Sequence, residues 1–311
     1  MHVLILTDGK AGHENQSRAL AQGLDCSADI VKTTYPSRVH KGLSYVMDRV
    51  RFRTDSLFRC DVPAARYDAV ICTGSNTFYP GKVIAWQLGV PVVANLYPRG
   101  YRLDFDCILA PEFDNPPRRR NIIALPVNLT PVRPDFYAEQ IAAFRSRHPE
   151  EGSSVGVIVG GPNASAGMES KWMRAQLEAI FAGTVGKQRW VTTSRRTPPE
   201  IEAVVDSFPF DYKLIYSRDT FNPIPAFVSL CDTLYVTAES TGMLSEAVSQ
   251  GTASVEILMN IRRPKSKFAR FVRNLSRDGY ARVFGEGSGG IANRKVRLGQ
   301  VFEQVRRLIG R

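Results

Sequence analysis

Long apolar runs are missing from this chain. No stretch approaches the roughly 18 residues that an apolar helix needs to cross a bilayer, which excludes an integral helical membrane protein. The first residues lead directly into Val3-Leu4-Ile5-Leu6, with no basic leader, long apolar segment or small-residue cleavage site. A cytoplasmic chain without a secretory signal is therefore expected. Cysteine is scarce and odd in number: Cys26, Cys60, Cys72, Cys107 and Cys231, with no Cys-x-x-Cys pair. That excludes a disulfide framework and zinc-finger spacing, and it predicts buried, reduced thiols. The dinucleotide fingerprint Gly-x-Gly-x-x-Gly and the phosphate loop Gly-x4-Gly-Lys-Ser/Thr are absent, and so are short-period repeats and low-complexity tracts.

What is present is ordinary globular composition, 43% hydrophobic and 23% charged, over 311 residues, enough for about two domains. Net charge is +11, with basic clusters at Arg118-Arg119-Arg120 and over 262–273, where Phe268, Phe271 and Val272 interleave with Arg and Lys. Such surfaces suit phosphate groups or acidic lipid headgroups. With no RNP-like segment or tandem basic repeat beside them, no nucleic-acid partner is expected.

Apolar runs alternate with helical spacing throughout. Strands are expected over 2–7, 68–73, 91–95, 105–110 and 121–125, with helices over 14–24 and 78–88. The scheme repeats after Pro126, Pro131 and Pro134, with strands at 155–159, 190–193, 212–216, 233–237 and 255–258. Helices are expected between these strands and over 297–309. Continuous apolar strands separated by helices predict parallel sheets covered on both faces. The expected architecture is α/β: two Rossmann-like, doubly wound domains with a ligand cleft between them, at the carboxyl ends of the strands. The domains are expected over 1–135 and 150–290, joined by a linker within 128–152. Residues 291–311 are expected to form a C-terminal helix that packs back on the first domain.

Four segments at strand ends carry candidate chemistry. Thr7-Asp8-Gly9-Lys10-Ala11-Gly12-His13-Glu14 crowds a carboxylate, an ammonium and an imidazole at a helix start, where free N–H groups favour an anion. Gly160-Gly161 fits close backbone approach to a phosphate or to the other domain. Ser194-Arg195-Arg196 opens a helix with hydroxyls and two guanidinium groups, whose forked donors match phosphate. In Glu239-Ser240-Thr241-Gly242, Ser240 and Thr241 are placed to cap a helix and leave N–H groups for a diphosphate, while Glu246 is placed to accept ribose hydroxyls.

The motifs DGKAGHENQS, GGPNASAG, TTSRRTP and TAESTGMLSEA, in this order over about residues 5–258, resemble the mitochondrial-fission-protein-like family of GT-B glycosyltransferases. The resemblance implies a GT-B fold, a nucleotide-sugar held by the second domain and an acceptor held by the first. It places Ser194, Arg195, Arg196, Ser240, Thr241 and Glu246 at the donor, and Asp8, Lys10, His13 and Glu14 on the acceptor or catalytic side; Lys10, Gly160, Gly161 and Glu239 are also expected to contact the nucleotide-sugar. The chain departs from the family pattern at Ala11, where proline is usual. It departs again at Glu239-Ser240-Thr241-Gly242, where the family has Asp-Ser-x-Ser, and at Phe113-Asp114, where a His-Asp pair is usual.

The expected activity is glycosyl transfer to a cell-envelope glycan or lipid-linked acceptor. Arginines and helix termini of the second half would stabilise the phosphate leaving group, with no metal or cofactor expected, on the reading that no Asp-x-Asp motif holds a divalent cation. Asp8, ahead of His13, is the expected base, with Glu14 a further catalytic candidate. The basic, Phe-bearing stretch 262–273 is the expected contact with the anionic inner membrane surface. The alternative is a non-catalytic, membrane-associated adaptor on the same scaffold.

Overall fold

The computed structural model describes residues 1–131, 134–148, 152–287 and 292–310. It divides into two compact units, residues 1–132 with 297–311, and residues 133–296.

In the first unit the elements follow as β1 (His2–Thr7), α1 (Ala11–Gly23), β2 (Ser27–Lys32), α2 (Arg38–Arg49), β3 (Ala69–Thr73), α3 (Phe78–Leu88), β4 (Val92–Asn95), β5 (Cys107–Pro111) and β6 (Ile122–Leu125). All strands pair in parallel, in the order β2-β1-β3-β4-β5-β6. Strands β1, β3, β4 and β5 are buried on both faces almost throughout, as their unbroken apolar runs require. The chain reverses its direction of winding between β1 and β3, and the carboxyl ends of those two strands are where a doubly wound sheet offers a ligand site.

The second unit begins with α4 (Pro134–Arg147) and continues as β7 (Ser154–Ile158), α5 (Ser170–Gly183), β8 (Gln188–Thr192), α6 (Pro199–Asp206), β9 (Tyr212–Leu214), α7 (Ile224–Leu230), β10 (Thr233–Thr237), α8 (Thr241–Ser249), β11 (Ser254–Leu258), α9 (Lys267–Arg277) and β12 (Arg282–Val283). Its sheet is again wholly parallel, β12-β11-β10-β7-β8-β9, with the switch point between β7 and β10.

The polar stretch expected as a linker contains α4, which is anchored in the second unit by one fully buried side chain, that of Phe144. Its ring centroid lies 4.9 Å from that of Trp190, 4.8 Å from Tyr212 and 5.8 Å from Phe227. Val132, Arg133, Pro149, Glu150 and Glu151 of that expected linker, and residues 288–291 and 311, lie outside the described residues. The last helix, α10 (Gly299–Ile309), packs Val305 and Ile309 into the first unit's core beside Leu20, Leu24 and Leu129. Arg306 donates to Gly23 O at 3.0 Å and to Asp25 at 2.8 Å, which fixes the helix against the end of α1.

Cys72, Cys107 and Cys231 are buried thiols, whereas Cys26 and Cys60 are only partly covered; none of the five forms a disulfide. In the stretch 262–273, Phe268 is partly exposed and Arg263, Lys265, Lys267 and Arg273 are exposed. In α9 the side chains of Ala269, Phe271, Val272 and Leu275 turn into the core, and Arg262 pairs with Glu169. Among the described residues no helix is long and apolar enough to cross a membrane.

Candidate functional site

At the first unit's switch point, β1 ends at Thr7 and the turn Asp8-Gly9-Lys10 leads into α1. Asp8 is almost fully covered and is the hub of the turn. Its Oδ1 accepts from the Lys10 backbone N–H at 3.3 Å and from His13 Nδ1 at 3.1 Å, and its Oδ2 pairs with Lys10 Nζ at 3.0 Å. Burial alone pushes this carboxyl up, but the Lys10 bonds and the His13 charge outweigh it and hold Asp8 below the ordinary carboxylate range. A base works best with a pKa near the operating pH, so Asp8 is poorly suited to the expected role. A carboxylate only accepts, so Nδ1 of His13 carries the ring proton and Nε2 is left as the basic nitrogen.

The ring of His13 lies against the backbone of Gly74, the residue after β3. A Cβ on Gly74 would sit 2.5 Å from the imidazole, and its φ of +90° is unfavourable for any other residue. Behind this contact Ser17 of α1 and Thr73 of β3 share a hydrogen bond of 2.6 Å. Glu14 points elsewhere: its Oε1 takes both the Nε and an Nη of Arg18, at 3.1 and 2.9 Å, one turn along α1. The structure therefore unites Asp8, Lys10 and His13 and leaves Glu14 in a surface pair.

Two polar residues beside this turn escaped sequence reasoning. Lys41 of α2 donates to Ser75 O and, at 2.6 Å, to the Tyr101 hydroxyl, and its ammonium lies 5.0 Å from the ring centres of Tyr35, Tyr45 and Tyr101. Burial among these rings lowers its pKa to about 8, against an opposing pull from Asp8. Asn95, the last residue of β4, is 1% exposed, and neither of its amide atoms has a hydrogen-bond partner among the described residues. A polar residue closing an apolar strand was the available signal for Asn95; nothing local marks Lys41.

At the second unit's switch point the Gly160-Gly161 turn meets the end of β10. Gly160 N–H donates to Thr237 Oγ1 at 2.8 Å, and that hydroxyl donates to Glu239 Oε1 at 3.0 Å. Asn260 Nδ2 donates to Glu239 Oε2 at 2.7 Å. Burial raises the Glu239 pKa, partly offset by these bonds and by the Arg196 charge. A Cβ on Gly160 would lie 2.0 Å from Glu239 Oε1, and one on Gly161 would lie 2.1 Å from Arg196 O. The space expected to admit a phosphate is thus occupied by the protein itself, and the glycines are needed for packing.

Ser194 is spent on its own turn. Its N–H and hydroxyl both meet Thr197 Oγ1, at 2.8 and 3.1 Å, and its Oγ accepts from Arg196 N–H. Arg195 and Arg196 project outward and exposed, and among the described residues neither guanidinium forms a salt bridge. Both line a cavity of about 270 Å³ with Ser194, Tyr216, Asn222 and Met243, which brings the Ser-Arg-Arg turn and the first turn of α8 to one place. Ser240 stands at the N-cap of α8 but makes no side-chain capping bond, so the expected cap is absent and the first-turn amides lack that partner. Glu246, further along α8, accepts from the Tyr137 hydroxyl at 2.7 Å, and burial pushes its pKa up.

One Asp-x-Asp spacing exists in the chain, Asp104-Phe105-Asp106, and its carboxylates are structural. Asp104 pairs with Lys82, and Asp106 accepts from Val92 N–H at 2.8 Å. Among the described residues no group of three or more His, Cys, Asp or Glu side chains is placed to hold a metal ion.

Several solved structures share the fold at low sequence identity. UDP-GlcNAc 2-epimerase from Methanocaldococcus jannaschii superposes with a TM-score of 0.55 at 10% identity, covering 99% of either chain. UDP-GlcNAc 2-epimerase from Neisseria meningitidis, bound to UDP-GlcNAc, gives 0.50 at 14% identity over 100% of either chain. LpCGTa in complex with UDP gives 0.50 at 11% identity, over 100% of this chain and 90% of that one. At these identities the likeness is one of fold, the two-sheet GT-B architecture. No curated protein sequence matches the chain. The family profile described as Mitochondrial fission ELM1 matches residues 11–302, and by that match over nearly the whole length the chain belongs to the mitochondrial fission ELM1 family.

Proposed function

We propose that the protein is a glycosyltransferase, with a nucleotide-sugar donor bound by the second unit and an acceptor hydroxyl bound by the first. One observation carries the donor half: two exposed arginines that form no salt bridge among the described residues line the same cavity as the uncapped first turn of α8. Guanidinium groups and helix amides are what a diphosphate leaving group requires as its negative charge develops. Glu246 would take the ribose hydroxyls, with Tyr137 fixing its orientation. Several solved structures of this fold hold UDP or UDP-GlcNAc, which supports a nucleotide-sugar here.

In the first unit His13 is the better base, positioned by Asp8. The acceptor oxygen attacks the anomeric carbon and its proton passes to His13 Nε2. The bond from that carbon to the diphosphate oxygen breaks, and the nucleoside diphosphate leaves with the electron pair. Lys10, paired with Asp8, and the unpartnered Asn95 amide would bind the acceptor. No metal is needed in this scheme, so transfer should continue in excess chelator; loss in chelator with recovery on adding a divalent cation would overturn that feature. The acceptor class that fits best is an envelope glycan or lipid-linked sugar.

The deciding experiment is a thermal-shift panel of nucleoside diphosphates and CMP-sugars, since a ligand of the native state raises apparent stability by mass action. A shift with one nucleotide, lost in Arg195→Ala, is expected; a flat response across the panel would remove the donor site. The second reading is a non-catalytic adaptor, favoured by the family's description, which names mitochondrial fission and no reaction. Nucleotide binding with no hydrolysis or transfer would favour it.

A further inference from the structure

Helix α2 is amphipathic the wrong way round. Its inward side is polar: Ser44 and Asp48 are buried, Asp48 bonded to Lys82 at 2.6 Å and Ser44 to the Tyr101 hydroxyl at 3.1 Å, with Lys41 beside them. Its outward side is apolar. Val39, Leu43, Val46 and Val50 recur at the spacing of one helix face and are 68%, 39%, 51% and 65% exposed. Phe52, just beyond the helix, is 57% exposed, and Trp86 of α3 is 59% exposed with the Arg53 guanidinium over its ring at 5.9 Å. These are six of the nine large apolar side chains most exposed among the described residues. Scattered exposed apolar residues need no cause, but a continuous ridge does.

The charge around the ridge is one-sided. Between residues 36 and 54 there are five Arg and Lys and one acid. That acid, Asp48, is buried and neutralised by Lys82. Arg38, Arg49, Arg51 and Arg53 are all exposed and flank the ridge. Arg51, Phe52 and Arg53 also line a cavity of about 320 Å³ with Asp48, Tyr79, Lys82 and Asp104; Lys82 there is paired with the two carboxylates, which leaves Arg51 and Arg53 as its outer cations.

We infer that the outer face of α2, with Phe52 and Trp86, is a docking surface for an anionic lipid bilayer. An apolar ridge sinks into the boundary between headgroups and acyl chains, arginines meet the lipid phosphates, and an interfacial tryptophan sits at headgroup depth. The polar anchors on the inner side explain why the ridge is not turned into the core: rotating the helix would bury four apolar side chains but strand Asp48 and Lys82 without each other. The inner side of the same helix carries Lys41, which donates to Ser75 O beside the Gly74 that the His13 ring touches, so a bilayer on the ridge lies about one helix diameter from the proposed acceptor site. The docking itself does not depend on the reaction; only this last placement rests on the proposed function.

Co-sedimentation of the full chain tests it, with vesicles of phosphatidylcholine alone or with about 30% phosphatidylserine. Binding to the anionic vesicles is expected, weaker in high salt, with a blue shift of tryptophan emission that disappears in Trp86→Phe. The triple variant Val39→Ser, Leu43→Ser, Val46→Ser should bind at least about tenfold more weakly with an unchanged melting temperature, since all three side chains already face solvent. Reversing Lys265 and Lys267 near α9 should leave most of the binding intact. No binding to anionic vesicles, or equal binding by the triple variant, would overturn the inference. So would a concentration-dependent dimer abolished by the triple variant, which would assign the ridge to a second copy of the chain. Loss of nucleotide binding or transfer in the wild-type protein would count against the proposed function and leave this surface untouched.

Discussion

Asp8 shows how one carboxylate can be essential without being a base. Its two oxygens are committed to Lys10 and His13, and those contacts hold it ionised. Asp8→Asn keeps the shape but removes the charge and allows the wrong ring tautomer. Turnover should fall by about 10³-fold or more while nucleotide affinity stays within about tenfold; near-normal turnover would take Asp8 out of the mechanism. A carboxyl held low when folded stabilises the fold above its unfolded pKa and loses that contribution as pH falls through the folded value. Urea titrations should therefore show the wild type more stable than Asp8→Asn at pH 6, with the gap closing below about pH 4. Glu246 has the opposite sign. Burial raises its pKa, so ionising it costs the native state stability as pH rises past the usual glutamate value. Glu246→Gln can still accept from Tyr137, and it should melt higher at pH 7 yet bind nucleotide more weakly. A lower melting temperature would contradict this.

At the scale of elements, strand-end turns were the most legible feature of the sequence. Polar residues crowd where an apolar strand stops, and both switch points fall at such turns, Asp8 with Gly74 and Gly160 with Glu239. The reason for Gly160-Gly161 was not legible, because the atoms that need the room belong to Glu239 and Arg196, far along the chain. Gly160→Ala should cost about 1–3 kcal/mol through overpacking and should disturb Glu239; chemical denaturation showing no loss would mean the turn can move. Strand β2 was missed because it is a half-exposed edge in which Ser27, Asp29 and Lys32 dilute Ile30 and Val31. Helix α2 was missed for a deeper reason. Pattern reading assumes that the apolar stripe of a helix marks its buried side, and here the buried residues are Ser44 and Asp48. In 262–273 the aromatic residues divide: helical spacing carries Phe271 inward with Val272 and leaves Phe268 partly exposed among its basic neighbours.

For the whole molecule, the parallel α/β architecture was readable from the strand runs, but the path of the chain between units was less so. Each unit has its own sheet and core, so unfolding should proceed in more than one step. Removing residues 299–310 should destabilise the first unit by about 3 kcal/mol or more, since Val305 and Ile309 leave its core. The nucleotide-dependent shift of the second unit should survive; its loss in calorimetry would mean the units do not act separately. Because α10 returns to the unit in which β1 stands, the second unit is an insertion within the first. During synthesis the second unit can finish folding while the first still lacks a wall. The groove beside Leu20 and Leu24 stays open until the residues of α10 have emerged, so the earlier part of the chain is the last to be completed and is the part most exposed to chaperones and to aggregation on the ribosome.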